Sequence, residues 1–269
     1  MVRNDHFFLE KWVEYYGHEF GRENLYVYFD GKDQEIPSFC EGVNCQIVEK
    51  IGNTVRSSDK GRIQFVSEMA RKLFESGYEL VVGGDADEYL VVDPRCRQTL
   101  AEFLSSKKIK YTLSGLGLDF GQKEGEPDLS LDRPFLTQRK YAQIGTRYTK
   151  ASVIGRACEW GSGFHRVEGH NFHIAKDLYL MHFGYSDLKM ITDRLSDTDR
   201  LGQGWERHMK KRSRTIRLVN SLKARNFDRM TARARMAETL LRPPYAWNKP
   251  ALFGLKIVVR IPERFSDAL

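Results

Sequence analysis

Three carboxylates within four residues, set between two apolar runs, constrain this chain more than any other feature. Glu79-Leu80-Val81-Val82 leads into Gly83-Gly84-Asp85-Ala86-Asp87-Glu88, and Tyr89-Leu90-Val91-Val92 follows. The apolar runs read as buried strands. Carboxylates crowded at a buried strand end repel one another unless a cation sits among them. Hard oxygen ligands suit magnesium or manganese, which keep open positions for substrate phosphates. The plainer reading is a solvated acidic turn, because Asp at strand ends is common in turns.

The surrounding pattern supplies a frame. Asp5 to Phe20 reads as an amphipathic helix stopped by Gly21, and Leu25 to Phe29 as a buried strand ending at Asp30-Gly31. A short strand is expected near Gln46-Ile47-Val48 and a helix from Ile63 to Phe74, followed by Ser76-Gly77. Further strands are expected over Ile109–Leu118, Arg147–Ile154 and Phe172–Phe183, and a helix over Arg97–Ser105. Alternation of this kind predicts an α/β fold with a mostly parallel central sheet, which binds ligands at the carboxyl ends of its strands. Asp30 and the Asp85/Asp87 cluster both fall at such ends.

Two other groups could carry chemistry. Four of the seven histidines, His165, His170, His173 and His182, lie within 18 residues. Imidazole is a common metal ligand and acid–base group. His182 ends an expected strand just before Gly184, although most histidines cap strands or face solvent. Glu159-Trp160-Gly161-Ser162-Gly163-Phe164 suits a sugar-binding loop, and Trp160 is equally well read as a core aromatic. Templates for nucleotide P-loops, dinucleotide folds, zinc proteases, serine hydrolases and EF-hands are all absent. Cys40, Cys45, Cys96 and Cys158 form no zinc-ligand spacing and are expected to be reduced.

With these residues assembled, the chain resembles the bacterial family 2-like glycosyltransferases of the GT-A type. The resemblance rests on Val2-Arg3-Asn4-Asp5, Leu9-Glu10-Lys11-Trp12 and Tyr15-Tyr16, and on Asp85-Ala86-Asp87-Glu88-Tyr89-Leu90. Lys150, Gly163-Phe164-His165 and Leu180-Met181-His182-Phe183 complete it. It covers residues 1–185. In that family an apolar strand precedes the first motif, and here that strand is nearly absent. Asp5 stands where the family has Glu.

The resemblance implies a GT-A fold, a UDP- or GDP-linked sugar donor and a divalent cation, manganese or magnesium. Asp87 becomes the principal metal ligand, Asp85 a contact to metal, ribose or donor sugar, and His182 a further metal contact. Arg3, Asn4, Asp5 and Asp30 fall at the nucleotide. Glu88, Trp160 and His165 are assigned to substrate. An inverting transfer needs a carboxylate base; the candidates are Glu159, ranked first, Glu168 and Asp119.

Charge divides the chain. Residues 200–269 hold 17 Lys/Arg against 5 Asp/Glu, a net +12, while residues 1–199 hold 26 against 31, a net −5. We therefore expect a catalytic domain over residues 1–186 and a basic, mainly helical extension over 187–269. Within 200–235, twelve Lys/Arg face only Glu206 and Asp228. Such a stretch suits an anionic membrane surface, a phosphate backbone or a solvated helical face. No apolar run reaches bilayer length and no signal-peptide pattern opens the chain, so a cytoplasmic protein, peripheral at the inner face of the membrane, is expected. The expected function is a sugar transfer to a saccharide or lipid-linked acceptor in polysaccharide assembly. The alternative is a nucleic-acid-binding protein that uses the basic helices.

Overall fold

The computed structural model describes residues 1–52, 55–196, 214–251 and 256–269. Helix α1, His6–Phe20, buries Phe8, Leu9, Val13 and Tyr16 on one face. Gly21, at φ 81°, ends it with its N–H on the Gly17 carbonyl, a left-handed position that favours glycine. Strands β1, Tyr26–Asp30, and β2, Asn44–Val48, then pair in parallel as a separate two-stranded sheet. Val2 adds one parallel bridge to the other edge of β1, at Phe29.

Helix α2, Val55–Glu75, carries the chain to β3, Val81–Val82, and the acidic loop leads into β4, Glu88–Val92. A capping box of Thr99 and Glu102 starts α3, Leu100–Ser105. Next come β5, Thr112–Phe120; a single turn, α4, Phe135–Gln138; β6, Tyr141–Ile144; β7, Val153–Ile154; and β8, Ile174–His182. The remaining described elements are α5, Leu188–Ser196; α6, Arg214–Ser221; α7, Phe227–Leu240; and β9, Val258–Arg260.

The larger sheet has seven strands in the order β3-β7-β5-β6-β9, with β8 on the other edge of β5 and β4 beyond β8. Of its strand pairs only β5/β8 is parallel; the others are antiparallel. The fold is mixed α/β, and the expectation of a mostly parallel central sheet is corrected. Parallel neighbours need long crossovers. Here α2 leads from β2 to β3, which pairs antiparallel with β7, and β5, β6 and β7 follow one another through loops and a single helical turn.

Described segments beyond residue 186 pack onto this sheet. β9 pairs with β6. α6 buries Thr215, Ile216, Leu218 and Val219 beside β5 and β6, and α7 buries Phe227, Thr231, Ala234 and Glu238 against β8. Arg264 joins Asp93 (3.0 Å) and Asp228 across the same side. Of the basic stretch read from sequence, Arg200, Arg207, Lys210, Lys211 and Arg212 lie outside the described residues.

Candidate metal and nucleotide site

Strand register builds the site. The antiparallel β4/β8 ladder sets Glu88 opposite His182, and the parallel β5/β8 ladder sets Asp119 opposite the same histidine. Residues 63 and 94 positions before His182 are thus delivered to its two flanks. The acidic loop is pinned by Gly83 N–H on the Ser152 carbonyl (2.8 Å) and by the Phe183 N–H on the Asp87 carbonyl (2.9 Å). The second bond carries Asp87 to the end of β8.

His182 is buried. Its Nδ1 lies 2.7 Å from Asp119 Oδ1 and its Nε2 3.6 Å from Asp87 Oδ2. Tyr148 stacks on the imidazole at 3.9 Å between ring centres. The Thr215 hydroxyl donates to the second Asp119 oxygen. Burial opposes a charged imidazole, but the carboxylates of Asp87 and Asp119 outweigh it and raise the pKa to about 9. Both ring nitrogens therefore carry hydrogen at neutral pH, Nδ1–H on Asp119 and Nε2–H toward Asp87; a metal ion at Nε2 would displace the second proton while Asp119 keeps the first.

Lys150 lies beneath the acidic loop, also buried. Its Nζ is 3.0 Å from Asp85 Oδ2 and 2.5 Å from Glu88 Oε1. Arg62 of α2 reaches Asp85 Oδ1 at 2.9 Å. Burial pushes the Asp85 pKa up, but Lys150 and Arg62 overcome it and hold the carboxyl well below its usual range. Glu88 moves the other way: burial raises it more than Lys150 lowers it. The Lys150 contact to Glu88 is an ion pair without hydrogen-bond alignment, and neither Glu88 oxygen has an aligned donor among the described residues.

Asp87, Glu88 and His182 each offer one ligand atom, and these atoms lie within 4.8 Å of one another. Two hard carboxylate oxygens and one borderline imidazole nitrogen fit manganese, and magnesium through the carboxylates. The buried Glu88 carboxylate, paired with Lys150 at Oε1, keeps acceptor capacity for the same ion. Of the expected ligands, the structure brings Asp87 and His182 together, sets Asp85 on Lys150 and Arg62, and adds Glu88.

The expected nucleotide residues gather at the end of β1. Arg3 forms a two-pronged pair with Asp33 (2.7 and 2.8 Å) and donates to the Asp30 carbonyl (2.7 Å). Asn4, at φ 49°, exchanges two hydrogen bonds with the Gln34 side chain (2.8 and 3.0 Å). Asp30 Oδ1 accepts from Ile51 N–H at 2.7 Å, and Asp5 stands at the N-cap position of α1.

The third expected group meets the acidic loop through its aromatic residues. Trp160 is buried, with its indole N–H on the Ala151 carbonyl (2.7 Å) and its ring against Phe164. It acts as a core aromatic. A Cβ added to Gly83 would lie 3.0 Å from the rings of both Trp160 and Phe164, so glycine lets the acidic loop rest on them. His165 is half-buried next to Gly163, which takes φ 62°. Glu159 and Glu168 are both exposed, Glu168 pairing with Arg166 at 2.9 Å, whereas Asp119 is buried on His182. A cavity of about 490 Å³ with mainly apolar walls separates β1 from β3, bounded by α1 and α2, and reaches Gly84 and Ala86 of the acidic loop.

Arg62 and Thr215 escaped the sequence reading, and Lys150 entered it only within a motif. Nothing local distinguishes Thr215 within the basic stretch. Lys150 follows Thr149 in a polar run that carries no sign of burial. No protein-family model matches this chain, and neither a curated protein nor a solved structure does so.

Proposed function

We propose that this protein is a metal-dependent glycosyltransferase that moves a sugar from a UDP- or GDP-linked donor to a saccharide or lipid-linked acceptor, with inversion. The observation that carries the reading is the convergence of Asp87, Glu88 and His182 from one loop and two strands, with the Glu88 carboxylate buried and unaligned. The sequence resemblance supplies the reaction class.

Asp87, Glu88 and His182 are the residues that would hold the ion. Manganese or magnesium there would offset the charge that builds on a departing diphosphate. Asp119 fixes the His182 ring and tautomer through Nδ1, and Thr215 fixes Asp119. Lys150 and Arg62 hold Asp85 ionised at the mouth of the loop. Arg3, Asn4, Asp5 and Asp30 bind the nucleoside. In the transfer, an acceptor hydroxyl oxygen forms the new bond to the anomeric carbon. The bond from that carbon to the diphosphate breaks, the electron pair leaves with the diphosphate, and the hydroxyl proton passes to a carboxylate. Glu159 is the proposed base, being exposed where an acceptor can reach it.

The test is thermal. UDP or GDP should raise the melting temperature only with manganese or magnesium present, and Asp87→Ala should abolish that rise. A rise that survives the substitution overturns the metal assignment. A panel of nucleotide-sugars scored for donor hydrolysis then identifies the donor, and the absence of any turnover across the panel overturns the transferase reading.

A further inference from the structure

The exposed apolar side chains of this protein are concentrated in one place. Among the described residues eight large hydrophobic side chains are exposed, and five of these fall within twelve residues: Met236, Leu240, Leu241, Tyr245 and Trp247. Four of the five are more than half exposed, at 60% for Met236, 73% for Leu240, 67% for Tyr245 and 57% for Trp247. Single exposed apolar residues need no explanation, but a run of them does.

Geometry places them together. Helix α7 turns Phe227, Thr231, Ala234 and Glu238 to the sheet. The opposite ridge, at helical spacing, is Arg229, Arg233, Met236 and Leu240, all exposed. The loop after α7 closes on itself, since Ala251 N–H returns to the Leu241 carbonyl at 3.3 Å. Tyr245 and Trp247 therefore stay at the same end of the molecule. They flank buried Ala246 and so project outward, while Asn248 anchors the loop on the Val167 carbonyl (3.1 Å). Lys249 Nζ lies 4.5 Å from the Tyr245 ring. From Arg229 to Pro262 the only carboxylate is Glu238, which is buried, so the exposed charged side chains that this segment contributes are all Arg or Lys.

We propose that this ridge of α7 and the loop over residues 242–251 form a docking surface for an anionic lipid membrane. Aliphatic and aromatic groups interleaved with Arg and Lys match the boundary between headgroups and acyl chains, where apolar groups insert and cations meet lipid phosphates. A nucleic acid would use the cations but has no place for Met236 and Leu240. No helix among the described residues is long and apolar enough to cross a membrane, so the contact is interfacial. This inference is independent of the catalytic reading.

The test is co-sedimentation of the full chain with vesicles of phosphatidylcholine containing phosphatidylglycerol, against phosphatidylcholine alone. Binding to the anionic vesicles is expected, and it should weaken with salt. M236E/L240E should reduce it at least ~10-fold, and R229E/R233E ~30-fold, since each cation near an anionic surface contributes strongly. All four side chains are exposed, so the melting temperature should not change. Equal binding to neutral vesicles, no binding to either, or full binding by R229E/R233E overturns the proposal. So does a concentration-dependent dimer that M236E/L240E abolishes, which would make the face a self-association surface. Preferential binding to RNA that vesicles do not displace overturns it as well. The metal-dependent nucleotide shift should persist in M236E/L240E, whatever the vesicles show.

Discussion

At the scale of single residues, Gly184 shows how tightly the acidic loop and β8 meet. A Cβ there would stand 2.1 Å from Asp87 Oδ2 and 2.8 Å from His182 Nε2. Neither atom can yield without breaking the cluster, so G184A should remove the manganese-dependent nucleotide shift. Its circular dichroism spectrum should stay that of the parent protein; a retained shift would mean the cluster adapts. Sequence made this position legible because a glycine directly follows His182-Phe183. Asp87 and His182 were legible too, one from charge crowding and the other from its place at a strand end. Glu88 is expected at the substrate, and the structure instead sets it, buried, beside Asp87 and His182. A carboxylate at the first position of a strand looks solvated in sequence, and only the ladder to β8 shows that it is enclosed.

At the scale of elements, register decides the site, and register was the least legible property. All residues of Glu88–Val92 and Thr112–Phe120 are buried. Strands buried on both faces lose the alternation that reveals pairing and direction. The apolar runs were therefore recognisable as strands while their mainly antiparallel arrangement was not. Helix α6 has a similar history. Its two arginines mark it as part of a basic extension, yet Thr215 on its buried face closes the chain of contacts from Asp119 to His182. Outer partners of this kind typically change metal affinity by about 10- to 100-fold. T215V should weaken manganese binding ~10-fold by titration calorimetry, and D119N should do the same. The two effects should not add, because both act on the orientation of one ring; additive losses would separate Thr215 from the histidine.

At the scale of the whole molecule, the described residues of the net +12 stretch pack onto the net −5 body. The clearest join is Glu238 of α7, which accepts from the Thr149 hydroxyl at 2.5 Å, while the same hydroxyl oxygen accepts from Gly117 N–H in β5 at 2.9 Å. Burial raises the Glu238 pKa from 4.5 to about 7, against the lowering effect of Thr149. A carboxyl raised on folding favours the folded state fully below its unfolded pKa, and that contribution is lost as pH rises through the folded value. Between pH 4.5 and 7, E238Q should therefore gain melting temperature relative to the parent protein, with no further gain above that window. A difference independent of pH would show that Glu238 is ionised in the fold. The helical and basic character of this stretch is legible in sequence, but its buried acid is not, because the partner lies on a loop 89 residues away. The cavity between β1 and β3 has a consequence of its own. Among the described residues, no strand pairs with the edge of β3 away from β7, and only Val2 pairs with the outer edge of β1. The edge of β3 and the part of the β1 edge that Val2 leaves open both border this apolar cavity. Unpaired edges beside apolar walls recruit extended chain. This cleft, rather than the charged surface, is where the fold is most open to β-augmentation, and an inward-facing lysine at Val81 is the substitution that would guard it.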